Sequence, residues 1–314
     1  MDTKKQSTLT GYAAGLTAVL FWSVNVIIAH WMTGKLEPAQ VSLGRWIVAG
    51  IILVPFTIVN ITRTWASFRQ HLWRNILLAL GIGVISISIQ NTLVYMAGHT
   101  ATAIDMALIG TCGPIFLALL SAFVLHQPIR LMQGIGLVSA CLGVLFLIAH
   151  GDLARLSSFN FVIGDLYMLV VSFSFAVYTL LLTLRPKDLA PATMLGMSVV
   201  VGVGVLSAYV GLTQGAAGFY IPETKVLAVL VYMGIFPSVC SFICWNIALS
   251  HLGTLRTGIM YYTMPLLSSI EAYFLLGESM NLSQIWGACL ILGGVVFAAQ
   301  HHKIGPAIAQ TGRP

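Results

Sequence analysis

Charged side chains are scarce in this sequence: Asp, Glu, Lys and Arg together make up 8% of its 314 residues. Soluble domains carry roughly 25%, because polar and charged groups must cover a surface that faces water. Apolar residues reach 58%, and apolar runs longer than the ~18 residues that mark a bilayer span recur along the whole chain. The shortage of charge excludes a soluble protein and predicts an integral membrane protein.

Sequence signatures of enzymes and metal sites are also missing. There is no His-Glu-x-x-His, no Gly-x-Ser-x-Gly and no P-loop. The five cysteines all lie in apolar runs, and their odd number argues against a disulfide framework. Cys240 and Cys244 lie one helical turn apart, but no histidine or carboxylate adjoins them to complete a metal site. We therefore expect no enzyme, no cofactor and no bound metal.

Apolar runs between polar or Pro/Gly breaks predict an all-α membrane protein with ten transmembrane helices. The first run is too long for the apolar core of a cleaved signal peptide and more runs follow it, so we expect it to be retained. In chain order, spans 1 to 10 are predicted at residues 9–33, 38–60, 73–96, 100–125, 128–149, 160–184, 188–213, 226–250, 253–276 and 281–300.

Basic residues fall mostly on one side of this predicted membrane protein. An even number of spans puts both termini on the same side. Eleven Lys and Arg residues lie there, against three on the other side and Arg45 within span 2. Basic segments mark the cytoplasmic side, so the net charge of +6 does not imply a nucleic-acid partner. We predict that both termini face the cytoplasm of a bacterial inner membrane.

The chain also carries an internal repeat. A shift of 151 residues aligns Pro114 with Pro265 and Gly143 with Gly294, and a shift of 153 aligns the prolines that open spans 2 and 7. We predict two repeats, residues 1–150 and 151–314. Because each repeat holds five spans, the second must enter the membrane inverted, an arrangement typical of carriers with a substrate site between the halves. Each paired proline should kink its helix, either for packing or to line the path.

Two segments, residues 21–53 and 248–297, resemble the EamA-type branch of the drug/metabolite transporter superfamily. The resemblance rests on Trp22, on Arg45 and Trp46, on the paired prolines, and on Leu-Gly-Glu at 276–278, where the first repeat departs and reads Leu-His-Gln at 125–127. It implies a ten-helix basket of two inverted repeats around a central cavity lined by spans 1, 3, 4, 6, 8 and 9. Within the branch, the chain is most similar to bacterial exporters of aromatic and other amino acids.

Polar and aromatic side chains inside the spans are the candidates for substrate binding, because polar groups in hydrocarbon are costly unless paired or hydrated. Several share one helix face at intervals of three, four or seven residues. Each could instead form an interhelical hydrogen bond or belong to an interfacial aromatic belt. The predicted substrate-binding residues are Trp22, Asn25, Ser88, Asn91, Tyr95, Tyr178, Ser241, Trp245, Tyr261 and Glu271.

Three ionisable residues inside the predicted spans are candidates for function: Arg45, Asp105 and Glu271. Arg45 and Asp105 fall toward the outer side, where a structural ion pair or a side chain reaching for the interface is the alternative to function. Glu271 lies deeper, in the outer half of span 9, and we expect a local gate or a hydrogen bond to Tyr261 or Tyr262 rather than a central proton site.

These features favour a carrier, sufficient as a monomer, that moves small amphiphilic metabolites such as amino acids outward by alternating access. Asn91 and Tyr95 would guard the outer mouth, and Trp245 and Asn246 the inner one. An exporter of cationic or lipophilic drugs is the alternative, followed by a channel.

Overall fold

The computed structural model describes residues 2–101, 106, 109–126, 129, 131–148, 162–276, 286–287, 289–294 and 296. All regular secondary structure within these residues is helical. The predicted candidate Asp105, residues 277 and 278 of the Leu-Gly-Glu motif, and parts of spans 4, 5 and 10 lie outside the described residues.

Thirteen α-helices follow one another in the described chain, with two π-helical segments and one 3₁₀ turn between them. In order they are α1 (Asp2–Met32), α2 (Pro38–Arg63), α3 (Trp65–Gln70), α4 (Leu72–Ile82), π1 (Gly83–Gln90), α5 (Asn91–Ala97), α6 (Cys112–Val124), α7 (Leu131–Ile148), α8 (Ile163–Thr183), α9 (Pro191–Gln214), the 3₁₀ turn (Gly215–Gly218), α10 (Thr224–Met233), π2 (Gly234–Cys240), α11 (Ser241–Leu252), α12 (Thr254–Met260) and α13 (Thr263–Leu276). Residues 286–287, 289–294 and 296 are helical as well.

Six of these stretches are long and apolar enough to cross a membrane, and they coincide with predicted spans 1, 2, 3, 6, 7 and 8. Helices α6 and α7 are shorter apolar helices within spans 4 and 5. Large apolar side chains such as Ile51, Trp73 and Leu212 are more than two-thirds exposed. Surfaces of this kind face lipid, because soluble monomers rarely expose contiguous apolar area.

The paired prolines follow breaks in the helices. A turn at Thr111 precedes α6, and a turn at 261–262 precedes α13. Pro114 and Pro265 are each the third residue of the new helix. Proline fits the first turn of a helix because the amide that it lacks would have no intrahelical partner there. The predicted kinks are therefore found as interruptions, at positions 151 residues apart.

Spans 3 and 8 each contain a π-helical segment, which the apolar pattern did not predict. Segment π1 starts at Gly83 and π2 at Gly234, again 151 residues apart (234 − 83). At both glycines a neighbouring backbone comes very close. A Cβ on Gly83 would lie 2.6 Å from the Ser198 carbonyl oxygen, and one on Gly234 would lie 2.8 Å from that of Arg45. Glycine permits this approach because it has no Cβ.

Helix α7 crosses the helical residues between 286 and 296 at a second pair of contacts related by the repeat. A Cβ on Gly143 would lie 2.9 Å from the Gly287 carbonyl oxygen, and one on Gly294 would lie 2.6 Å from that of Gly136. Gly136 pairs with Gly287, and Gly143 with Gly294, at the offset of 151. The sequence offset thus recurs in the contacts between helices.

Candidate substrate-binding and gating site

Most of the aromatic residues predicted to bind substrate meet in one cluster inside the bundle. The centroids of the Trp22 and Trp245 rings are 5.3 Å apart, and those of Phe175 and Tyr261 are 4.9 Å apart. Tilted and edge-on arrangements at such distances are favourable for aromatic pairs. We call this the aromatic cluster; it consists of Trp22, Phe175, Tyr178, Phe242, Trp245 and Tyr261.

The aromatic cluster fills the interior where a cavity with aromatic walls was predicted. Trp245 and Tyr178 are almost fully buried, and Trp22 is 8% exposed. The indole nitrogen of Trp22 donates to the Pro237 carbonyl oxygen at 3.0 Å, which fixes the ring against π2. The walls pack against each other, so the interior is closed at this level.

Phe175 and Phe242 are members of the cluster that the sequence analysis missed. Each lies three residues before a predicted residue, Tyr178 and Trp245 respectively, and therefore on the same helix face. This spacing of three residues is the sequence feature that could have identified them. The predicted aromatic residues of spans 6 and 8 are those with a polar side-chain atom, which left the phenylalanines out.

A tyrosine and an asparagine are bonded on the α11 side of the cluster. The Tyr178 hydroxyl donates to Oδ1 of Asn246 at 3.0 Å, and both side chains are buried. Next to them, the Trp245 indole nitrogen donates to the Thr179 hydroxyl at 3.4 Å. These bonds join α8 to α11, and we call Tyr178 and Asn246 the second-repeat pair.

A buried arginine organises the corresponding polar group near α5. Arg45, only 1% exposed, donates through Nη1 to the Tyr95 hydroxyl at 2.6 Å and to Oδ1 of Asn25 at 3.2 Å. Its Nε donates to the Ser238 hydroxyl at 2.8 Å. The Tyr95 hydroxyl in turn lies 3.4 Å from Oδ1 of Asn25. We call Asn25 and Tyr95 the first-repeat pair.

The two pairs occupy equivalent positions in the repeat. Asn25 corresponds to Tyr178 at the offset of 153, and Tyr95 corresponds to Asn246 at the offset of 151. The tyrosine and the asparagine have thus exchanged helices between the two copies, while a Tyr–Asn bond is kept in each. Arg45 corresponds to Ser198, whose hydroxyl only donates to the Met194 carbonyl of its own helix. Among the described residues, a cation is hydrogen-bonded to the pair in the first repeat alone, while Arg185 acts on Tyr178 only through its charge.

Three predicted residues bond to backbone carbonyls of the π-helical segments. The Ser88 hydroxyl lies within hydrogen-bond distance of the carbonyl of Gly83 and of that of Gly202 in α9. Asn91 donates to the Ser86 carbonyl at 2.6 Å, and Ser241 to that of Phe236 at 3.1 Å. Carbonyls within a membrane protein must be bonded internally, and each of these side chains reaches a carbonyl five residues earlier in its own helix. In this structure they support the π-helical segments.

Glu271 bonds to a different partner from the one predicted. Its Oε1 accepts from the Ser23 hydroxyl at 2.6 Å, and Oε2 is buried without a hydrogen-bond partner among the described residues. The predicted bond to Tyr261 or Tyr262 is wrong. A helix rises ~1.5 Å per residue, so residues nine or ten positions apart on one helix are separated by roughly 14 Å, beyond the reach of these side chains.

Comparison with known proteins identifies the fold and the family. The profile of the EamA-like transporter family matches residues 9–149 and again 162–300. The chain is 22% identical over 280 residues to the transporter YyaM of Bacillus subtilis, covering 89% of this chain and 90% of that protein. It is 24% identical over 306 residues to the S-adenosylmethionine uptake transporter of Rickettsia prowazekii, covering 96% and 97%.

A crystal structure with 20% sequence identity has the same fold, with a TM-score of 0.69 over 94% of this chain and 96% of the other. Two profile matches together span most of the 314 residues. The apolar helices, the family profile that matches twice and these relatives all indicate a transporter. The chain therefore belongs to the EamA-like transporter family, as a membrane transporter and not an enzyme.

Proposed function

We propose that this transporter is a secondary carrier that exports small amphiphilic metabolites, above all amino acids including aromatic ones, by alternating access. The observation that carries the proposal is that two Tyr–Asn pairs lie at equivalent positions of the repeat. The aromatic cluster lies next to both pairs on the same helices. An alternating carrier needs a closure on each side of its substrate site, and inverted repeats supply two related closures.

The repeat itself supports this mechanism. The family profile matches once in each half, and the offset of 151 recurs at the π-helical segments and at the glycine crossing. We take residues 1–150 and 151–314 as two five-helix units of opposite orientation. Each chain then holds both closures, so a monomer suffices for transport.

The distribution of basic residues sets the sidedness. With both termini in the cytoplasm of a bacterial inner membrane, the first-repeat pair lies toward the outside and the second-repeat pair toward the inside. Asn91 and Tyr95 then guard the outer mouth, and Trp245 and Asn246 the inner one. The Tyr95 and Asn246 side chains are bonded and buried, so both ends are closed in this conformation.

The chemistry of the site favours an amino acid. The aromatic cluster suits an apolar side chain, while Arg45 and Glu271 supply one positive and one negative group for a zwitterion. The Rickettsia relative is named for S-adenosylmethionine, which carries an amino-acid group, although that name states uptake. A polyanion such as a nucleotide sugar fits poorly, because Arg45 is the only cation found in the interior of the described bundle.

Export of cationic or lipophilic drugs is the second candidate, because the aromatic cluster and Glu271 would also suit a cation. A channel is the third. A substrate panel in sealed proteoliposomes separates them: aromatic and aliphatic amino acids, S-adenosylmethionine, a quaternary ammonium dye and a nucleotide sugar, with protein-free liposomes as control. We expect saturable amino-acid flux that is accelerated by the same solute on the opposite side. Uptake of nucleotide sugars without amino acids would overturn the substrate class, and flux that never saturates would favour a channel.

A further inference from the structure

We propose that Arg45 is the binding group for a carboxylate of the transported solute, and that this carboxylate replaces Tyr95 and Asn25 on the guanidinium. Binding of the solute and release of the first-repeat pair would then be one event. The inference rests on the carrier function proposed above and adds to it the group that the site recognises.

The first argument is the missing counter-charge. A buried cation is normally paired with an anion or it costs stability. The partners of Arg45 are all uncharged: a phenol, an amide, a hydroxyl and the Trp46 ring, whose centroid lies 5.4 Å from Cζ. No carboxylate of a described residue lies within ion-pair distance of it, since Glu271 bonds Ser23 instead. The guanidinium is therefore held in place without a counter-ion among the described residues.

The second argument comes from the other repeat. The second-repeat pair forms its bond at 3.0 Å with Ser198 at the position equivalent to Arg45. A Tyr–Asn closure in this fold therefore forms without a cation hydrogen-bonded to it. The hydrogen-bonded cation at position 45 is an addition to the first repeat, and a binding role explains an addition that is costly to bury.

The third argument is geometric. The bonds recorded for Arg45 use Nε and Nη1, which leaves Nη2 for a further acceptor. A guanidinium binds a carboxylate through two parallel bonds. Such a ligand would compete for Nη1 with Tyr95 and Asn25. Asn25 lies one turn from Trp22 on α1, so a solute held at Arg45 by its carboxylate can place an apolar side chain against the aromatic cluster.

Ligand analogues test this directly. Purified full-length protein in detergent is titrated, at fixed chloride, with L-phenylalanine, with 3-phenylpropionate, which lacks the ammonium group, and with 2-phenylethylamine, which lacks the carboxylate. Binding is followed by the shift of the thermal unfolding midpoint. We expect both carboxylates to bind at least tenfold more tightly than the amine. Arg45→Gln should remove this preference, and Arg69→Gln, at an exposed arginine of α3, should keep it.

Every other result overturns either this inference or the carrier function. Equal binding of the amine and the acids by the wild-type protein, or no binding of any carboxylate, overturns the inference even if Arg45→Gln does not fold. Equal stabilisation by chloride or phosphate alone also overturns it, because the site would then be a general anion site. Carboxylate binding that depends on Arg45 without any flux would keep the inference and overturn the carrier. Amino-acid flux without a carboxylate preference would keep the carrier function and overturn the inference about Arg45.

Discussion

At the scale of single residues, the two Tyr–Asn pairs are the proposed closures of the carrier. Each is one buried hydrogen bond between helices, supported by neighbouring rings or by Arg45. A buried hydrogen bond contributes about 1 kcal/mol to the stability of the closed conformation. The binding free energy of a small solute is large enough to offset that difference between the closed and open conformations. A stronger lock, such as a buried ion pair, would hold one conformation too firmly.

Removing one hydroxyl should loosen one side only. Tyr178→Phe breaks the bond to Asn246, and Tyr95→Phe breaks those to Arg45 and Asn25. About 1 kcal/mol corresponds to roughly a fivefold change in an opening equilibrium, and a bond to a charged group contributes about 1.5–3 kcal/mol. We therefore expect amide hydrogen exchange about fivefold faster in α11 for the first variant and at least about tenfold faster in α5 for the second. Tyr209→Phe, at a lipid-facing position of α9, is the control. Equal acceleration of both helices by either variant would mean that the pairs are not separate closures.

Glu271 should not be the site of proton coupling. In Glu271→Gln the amide oxygen still accepts from Ser23, so the bond is kept while the titratable group is removed. We expect counterflow and downhill flux in proteoliposomes at saturating solute to stay near the wild-type rate, and any accumulation driven by a pH gradient to be unchanged. Loss of the negative charge should show only as a higher solute concentration for half-maximal flux. Loss of that accumulation with exchange preserved would show that Glu271 couples transport to protons.

Sequence reasoning located many of the side chains that meet in the interior but not their partners. Trp22, Tyr178 and Trp245 stand out as aromatic residues in the middle of apolar spans, and they do meet. The bond between Ser23 and Glu271 joins residues 248 positions apart, and no local pattern specifies such a contact. Ser88, Asn91 and Ser241 were predicted to bind substrate, yet in this structure they bond to the π-helical backbone, whose presence the pattern did not reveal.

At the scale of helices, glycines set how closely the two repeats approach each other. The crossing of α7 with the last helical residues is built from backbone-to-backbone contacts, so a methyl group has no flexible side chain to push aside. Contacts of this kind between small residues are a principal source of helix association in membranes, where the hydrophobic effect is absent.

Alanine at this crossing should destabilise the protein. Gly143→Ala and Gly294→Ala each put a methyl group less than 3 Å from backbone atoms, and overpacking of this kind costs about 1–3 kcal/mol. We expect a lower midpoint of thermal unfolding in detergent for both variants. Gly134→Ala and Gly293→Ala are matched controls, because a Cβ there meets no described atom within 4 Å. Equal midpoints for all four variants would contradict the crossing.

Helix positions were largely predictable, while helix irregularities were only partly so. Span 2 was predicted at 38–60 and found at Pro38–Arg63, because a proline marks its start and apolar length marks its extent. The interruptions before Pro114 and Pro265 were indicated by the prolines themselves. The π-helical segments did not, because only one contains a proline and their cause is the close approach of another helix at Gly83 and Gly234.

At the scale of the whole molecule, the two repeats are alike in architecture and unlike in charge. Both have a π-helical segment, a proline after a helix break and a Tyr–Asn pair. The first repeat adds Arg45, and the second adds Glu271 at span 9, where the residue 151 positions earlier is Leu120. We propose that the symmetric parts provide the motion and that the two unmatched charges provide recognition of the solute.

The most direct test of alternating access is side-specific labelling of single cysteines. They are placed at Asn91, Tyr95, Trp245 or Asn246 in a background that lacks the five native cysteines. A membrane-impermeant thiol reagent is then applied from one side at a time. We predict that positions 91 and 95 react only from outside and positions 245 and 246 only from inside, and that saturating solute changes the two sets in opposite directions. Equal reaction of both sets from one side, with and without solute, would contradict alternating access and leave a continuous channel as the better description.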